Sequence, residues 1–258
     1  MVPTLVFDIE TIPDTEGIKA LLGLPDHTSE KDVANIAFHQ RRQQNGSEFL
    51  PLQQHRVCAI SCALRDGDHF RVWSLGEKDA NEKEIIQRFF DGIEKYTPNL
   101  VSWNGGGFDL PVLHYRAMVN QVIAPRYWDM GEDDKEFKWN NYIGRYHTRH
   151  LDLMDLLAMY QARANAPLDE IAQLCGFPGK LGMDGSKVWD AYQAEDIEGI
   201  RHYCETDVAN TYLVFLRFQR MRGHLTPAIY EAEIQLVRDT LSTYAGQHWQ
   251  EFLAAWKM

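Results

Sequence analysis

Apolar and polar positions along this chain repeat with two periods, and each period predicts its own element. Thr4, Leu5, Val6 and Phe7 lead into Asp8-Ile9-Glu10-Thr11, and Pro13 ends the run, which predicts a buried β-strand with two acids near its end. Residues 55–64 and 69–75 are two more β-rich runs, and the Asp66-Gly67 between them favours a tight hairpin turn. The first three strands are therefore expected to form an antiparallel meander. Ile85, Ile86, Phe89, Phe90 and Ile93 recur at helical spacing, predicting an amphipathic helix over 82–96 that packs on the sheet. A short buried strand at 99–103 follows, and then Val112, Leu113, Tyr115 and Met118 at helical spacing. A last short strand at 150–153 is expected to enter a helix over 154–162 with Asp152 or Asp155 as its cap. Residues 168–174 predict a short helix that Gly176 can close, and Val208, Tyr212, Phe215 and Leu216 mark a long one.

Three stretches interrupt this pattern. Residues 14–50 carry Leu21, Leu22, Val33, Ile36, Ala37 and Phe38 at helical spacing and form an insertion between strands, expected over the end of the first strand. Residues 121–149 interleave Arg126, Lys135, Lys138, Arg145 and Arg149 with Tyr127, Trp128, Phe137, Trp139, Tyr142 and Tyr146. Such a run suits a surface that stacks bases and holds phosphates, or an irregular excursion that buries its own aromatics. His147 within it and His150 just after it read as metal ligands or as ordinary strand residues. The glycine-rich stretch 178–187 carries Lys180 and Lys187 and fits either a phosphate contact or a flexible connector. With no linker or repeat, one domain over 1–258 is expected, with a helical insertion at about 14–50 and a helical C-terminal extension at about 227–258 broken at Gly246.

Composition narrows the class. With 258 residues, 45% hydrophobic and 24% charged, the chain reads as globular α/β. No apolar run reaches membrane-spanning length and Met1-Val2-Pro3 leads straight into a strand, so a cytoplasmic protein is expected. Cys58, Cys62, Cys175 and Cys204 show no C-x-x-C pair and read as buried thiols, Cys58 and Cys62 on one strand face. The net charge of −11 argues against a protein that grips nucleic acid non-specifically through a broad basic face. It leaves room for an acidic site that brings cations to a phosphate.

Three motifs carry chemistry. Asp8 and Glu10 lie two residues apart on a strand and so share a face, where they repel unless a cation intervenes; the plainer alternative is a solvated strand end. Asn104-Gly105-Gly106-Gly107-Phe108-Asp109 joins a strand to a helix, with Asp109 just ahead of Pro111 where an N-cap would lie. Its spacing is neither a dinucleotide fingerprint nor a P-loop. Tyr203 and Asp207 stand at i and i+4 and offer a hydroxyl and a carboxylate to one place.

In that order, D-x-E, N-x-x-x-F-D and Y-x-x-x-D, the motifs resemble the proofreading-type 3′→5′ exonucleases of the ribonuclease-H-like fold, over about residues 4–216. The tyrosine marks the DEDDy subgroup, similar to the exonuclease domain of family B DNA polymerases and to stand-alone bacterial proteins related to it. The resemblance implies a mixed five-stranded sheet flanked by helices. It implies Asp8, Glu10, Asp109 and Asp207 holding two Mg²⁺ or Mn²⁺ ions roughly 4 Å apart, with Tyr203 orienting the attacking water. Thr11, Asn104 and Phe108 would meet the terminal nucleotide. The implied substrate is the 3′ end of single-stranded or frayed DNA, ahead of RNA, and the implied partner is a polymerase or repair complex. A non-catalytic nucleic-acid-binding module of the same fold is the alternative from another class.

Overall fold

The computed structural model describes residues 2–257; Met1 and Met258, the two ends of the expected domain, lie outside the described residues. Five strands, β1 (Thr4–Pro13), β2 (His55–Asp66), β3 (His69–Ser74), β4 (Asn99–Ser102) and β5 (His150–Asp152), form one mixed sheet in the order β3-β2-β1-β4-β5. β1, β2 and β3 make the expected antiparallel meander, while β4 runs parallel to β1 and β5 parallel to β4. Helices flank this sheet, giving the α/β, ribonuclease-H-like arrangement that the motif order implied.

Between β1 and β2 lie α1 (Thr15–Leu22) and α2 (Glu30–Asn45), which close a small core of their own through Ile18, Val33, Ala37 and Leu50. α3 (Glu82–Tyr96) occupies the predicted span and α4 (Asp109–Asn120) follows β4; their apolar sides meet Phe7, Ile60 and Leu100 on one face of the sheet. The connection from β4 to β5 includes the one-turn α5 (Pro125–Trp128). After β5 come α6 (Leu153–Leu157), α7 (Leu168–Leu174), α8 (Val188–Gln193) and the long α9 (Ile197–Met221). α9 covers the opposite face through Val208, Tyr212 and Leu213 against Val6 and Val101, and α10 (Pro227–Ser242) and α11 (Gln247–Ala255) pack onto that layer.

Several details differ from the sequence reading. The helix expected over 154–162 stops at Leu157, because Met159 and Tyr160 adopt left-handed backbone. Cys58 and Cys62 do not share a face: the register of β1 on β2 shifts between Glu10 and Thr11, so Cys58 packs beside Ile12 and Tyr203 while Cys62 enters the α3–α4 core. In the 121–149 stretch the aromatics divide, with Tyr127, Phe137 and Tyr142 buried and Trp128, Trp139 and Tyr146 exposed. The guanidinium groups of Arg126 and Arg149 lie over the buried Phe137 ring, so both basic residues serve packing there. No described helix is long and apolar enough to cross a membrane.

Candidate active site

β1 outlasts its neighbour. β4 pairs with it only from Thr4 to Val6 and ends at Ser102, so the stretch holding Asp8 and Glu10 keeps β2 on one side and an open edge on the other. Alternation puts Asp8 and Glu10 on the side of Val6, the side covered by α9. Four residues apart on α9, Tyr203 and Asp207 face them, both buried.

Asp109 arrives from the other layer. Residue 108 occupies the cap position of α4 with no side-chain bond, so the capping role read for Asp109 does not hold. Its carboxylate instead turns to the open edge of β1 and accepts the Ile9 backbone N–H at 3.2 Å. The loop that delivers it needs its glycines: a Cβ at Gly105 would overlap the Ser102 side chain, and one at Gly107 would overlap the Asn104 amide. Asp152, which caps α6 as expected, also accepts the Asn104 and Gly106 N–H groups at 3.0 and 2.9 Å and so pins that loop.

The electrostatics of the cluster are those of crowded, unneutralised acids. Burial, reinforced by the charges of Asp109 and Asp207, pushes the Asp8 carboxyl far above its ordinary range. Glu10 is pushed up by burial and then by Asp8 and Asp207. Burial raises Asp109 to about 7, although backbone N–H groups including that of Ile9 pull the other way. Asp207 rises to about 6, burial again dominating, with Lys180 and Tyr203 holding it down. One oxygen of Asp207, Oδ1, is buried without any hydrogen-bond partner. Burial and the same carboxylates push the Tyr203 hydroxyl up as well.

Two residues at this site were not singled out by the motifs. Lys180 donates from Nζ to the Tyr203 hydroxyl oxygen at 2.7 Å, and its charge reaches Asp8, Glu10 and Asp207. Its loop is not a free connector. Asn210 of α9 bonds both the N–H and the carbonyl of Gly179, and Asp169 of α7 accepts the Lys180 N–H at 2.6 Å. Lys187 stays exposed beside Asp184. Cys204 sits within 4.8 Å of oxygens of both Asp8 and Glu10, and its thiol hydrogen is directed at Asp8. Only its i−3 spacing from Asp207 on one helix face hinted at this in the sequence.

Of the three residues expected at the nucleotide, Thr11 and Phe108 share a partner, His55, and Asn104 stands apart from it. The Thr11 hydroxyl bonds His55 at 2.8 Å, Phe108 packs edge-on against His55, and Asn104 lines a groove of about 780 Å³ that runs along Gly106, Tyr146 and Tyr160. His147 and His150 take no part in the acidic cluster: His147 bonds Asn141, and His150 bonds Ser102, with burial pulling its pKa down to about 4.

Residues 47–256 match a family described as a predicted 3′–5′ exonuclease related to the exonuclease domain of PolB, a span that takes in Asn104, Phe108, Asp109, Tyr203 and Asp207. The chain is 22% identical over 235 residues to the catalytic chain of DNA polymerase epsilon from Emericella nidulans, covering 81% of this chain and 10% of that protein. It is 31% identical over 106 residues to DNA polymerase 1 of Sulfurisphaera ohwakuensis, covering 35% of this chain and 12% of that one. It is 23% identical over 224 residues to the DNA polymerase of Pyrococcus glycovorans, covering 79% and 27%. A solved family B DNA polymerase from the hyperthermophilic archaeon Pyrobaculum calidifontis aligns with a TM-score of 0.49 and 17% identity, over 98% of this chain and 27% of that one. The chain thus spans 27% or less of the length of each of these relatives. With the match covering most of its length, this chain belongs to the family of predicted 3′–5′ exonucleases related to the exonuclease domain of PolB.

Proposed function

We propose that the protein is a metal-dependent 3′→5′ exonuclease that trims single-stranded or frayed DNA ends and releases nucleoside 5′-monophosphates. The observation that carries this reading is the acid cluster. The buried carboxylates of Glu10, Asp109 and Asp207 and the half-buried one of Asp8 raise one another's proton affinity, Lys180 lowers it in part, and Asp207 keeps a buried acceptor oxygen without a hydrogen-bond partner among the described residues. Hard oxygen donors, crowded and unpaired, fit Mg²⁺ or Mn²⁺. Asp8, Glu10, Asp109 and Asp207 would hold two such ions, which when bound supply Lewis-acid activation of water and charge neutralisation at the phosphate.

The remaining roles follow from the chain's own groups. Tyr203 stays protonated at neutral pH, so it orients the attacking water and does not take its proton. Its oxygen already accepts from Lys180, which leaves its hydrogen free to aim at a neighbouring acceptor. Lys180 adds a fixed positive charge where the phosphate arrives. Attack on phosphorus breaks the bond to the 3′ oxygen of the preceding nucleotide and leaves a strand one nucleotide shorter with a new 3′ hydroxyl.

The test is degradation of 5′-labelled single-stranded DNA and RNA of matched sequence by wild type and Asp8→Ala, with Mg²⁺, Mn²⁺ or EDTA. A ladder shortening from the 3′ end, dependent on metal and at least about a thousandfold slower in Asp8→Ala, is expected, with DNA the faster substrate. Preference for RNA would reassign the polymer. No shortening of either by folded, Mn²⁺-binding protein would leave a binding module in place of an enzyme.

A further inference from the structure

We propose that Phe49, at the end of the 14–50 insertion, is the platform on which the base of the 3′-terminal nucleotide stacks. The inference rests on the exonuclease reading above and gives the insertion a role in that site.

Phe49 is 55% exposed, yet its backbone is held. Its N–H donates to Ser47 Oγ at 3.1 Å and its carbonyl accepts from Arg41 Nε at 2.9 Å. The next residue, Leu50, is buried in the α1–α2 core. A large ring presented to water by an anchored backbone forgoes the stabilisation that burying it would give. More than half of the ring is left to solvent while the backbone that carries it is held in place.

Its other neighbours tie it to the acidic cluster. The Phe49 ring lies 5.6 Å from that of Phe108 and 5.2 Å from that of His55, and His55 meets Phe108 edge-on at 5.3 Å. Phe108 immediately precedes Asp109 and Thr11 immediately follows Glu10, so the rings belong to the two segments of chain that carry these acids. His55 locks the group together. Its Nε2 bonds the Leu50 carbonyl at 3.2 Å, which can only accept, so Nε2 carries the hydrogen. Burial keeps this imidazole neutral, and Nδ1 must then accept from the Thr11 hydroxyl at 2.8 Å. Thr11 is thereby left with oxygen lone pairs for a donor, and the hydroxyl of a terminal sugar is such a donor.

The chemistry of this rim suits a nucleobase. The rings of Phe49 and Phe108 are too close to admit a base between them, so stacking falls on the outer face of Phe49. A phenyl face reads no hydrogen-bonding edge, so the contact tolerates every base, as an enzyme that removes nucleotides in succession requires.

The test uses binding in EDTA, so that nothing is cleaved, of two single-stranded DNA oligonucleotides that differ only in a base or an abasic sugar at the 3′ terminus. Wild type is expected to bind the base-ended strand about tenfold more tightly, Phe49→Ala to lose that preference, and Phe49→Trp to keep it. Fluorescence of a 3′-terminal 2-aminopurine is expected to be quenched by wild type and by Phe49→Trp and to remain unquenched with Phe49→Ala. Equal weakening of both strands in Phe49→Ala, or no weakening of either, overturns the proposal. Cleavage of the base-ended strand with Mn²⁺ separates the two readings: wild type that shortens it while Phe49→Ala binds like wild type rejects the platform alone, and wild type that neither binds nor shortens it rejects the exonuclease reading and the platform with it.

Discussion

Two groups of largely buried acids meet the two ends of one helix, α4, and they are treated in opposite ways. In its C-terminal half, Arg116 donates to both oxygens of Glu82 at 2.8 and 2.7 Å and to Asp14 at 2.5 Å. Glu82 also accepts from the Val57 N–H and from Asn120. Burial works against the Arg116 charge, but Glu82 and Asp14 hold its guanidinium above the ordinary value. At the N-terminus of the helix, Asp109 joins Asp8, Glu10 and Asp207, and the positive charge of Lys180 reaches the last three. Burying a carboxylate is tolerable when its charge and lone pairs are met from within, and the result is then a clamp holding α1, α3 and α4 together. The second cluster is met only in part, so its acids take up protons or accept cations from outside. The difference separates architecture from a site without reference to any motif.

The largest expected effect tests that separation. Arg116→Met leaves the largely buried Glu82 and Asp14 without their countercharge and is expected to lower unfolding stability by about 3–5 kcal/mol, read from urea denaturation. Asp109→Asn, which keeps an acceptor for Ile9 but removes a charge, is expected to leave stability in EDTA unchanged or higher. Equal losses in the two variants would erase the contrast.

A smaller effect concerns pH. Asp109 at about 7 and Asp207 at about 6 in the folded protein titrate above an unfolded aspartate, near 4. Between those values the folded chain holds protons that the unfolded chain has released. The stability these groups contribute is therefore full at low pH and lost as pH rises through about 4 to 7. In EDTA the melting temperature of wild type relative to Asp109→Asn is expected to fall from pH 5 to pH 8, and Mn²⁺ affinity to rise over the same range because the protons must leave. A flat difference would mean that these acids are already ionised without metal.

The smallest change is at Lys180. Lys180→Met removes a positive charge that reaches Asp8, Glu10 and Asp207 and the bond to Tyr203, and about a tenfold fall in kcat on single-stranded DNA is expected, with Mn²⁺ binding retained. A variant as fast as wild type would limit Lys180 to holding its loop.

Much of this was legible along the chain, for a local reason. Period two set Asp8 and Glu10 on one face, period 3.6 set Tyr203 beside Asp207, and Asp66-Gly67 closed the hairpin; these regularities belong to backbone geometry and need no distant partner. Asp152 was legible as a cap of α6, but its hold on the Asn104 loop was not, since that loop lies on another strand. The same limit hid the true partner of Asp109, a backbone N–H 100 residues away. In the sequence Lys180 fits a phosphate contact and a flexible connector equally, and what fixes its loop is Asn210 and Asp169 on other elements. Among the aromatics of 121–149, composition could not separate Tyr127 and Tyr142, which stack in the core, from Tyr146 at the surface. The sequence by itself determined the elements, the strand pairing of the meander and the residue types able to hold cations. Only the tertiary structure decided which charges go unpaired and which rings stay uncovered, because burial and pairing depend on where distant elements pack.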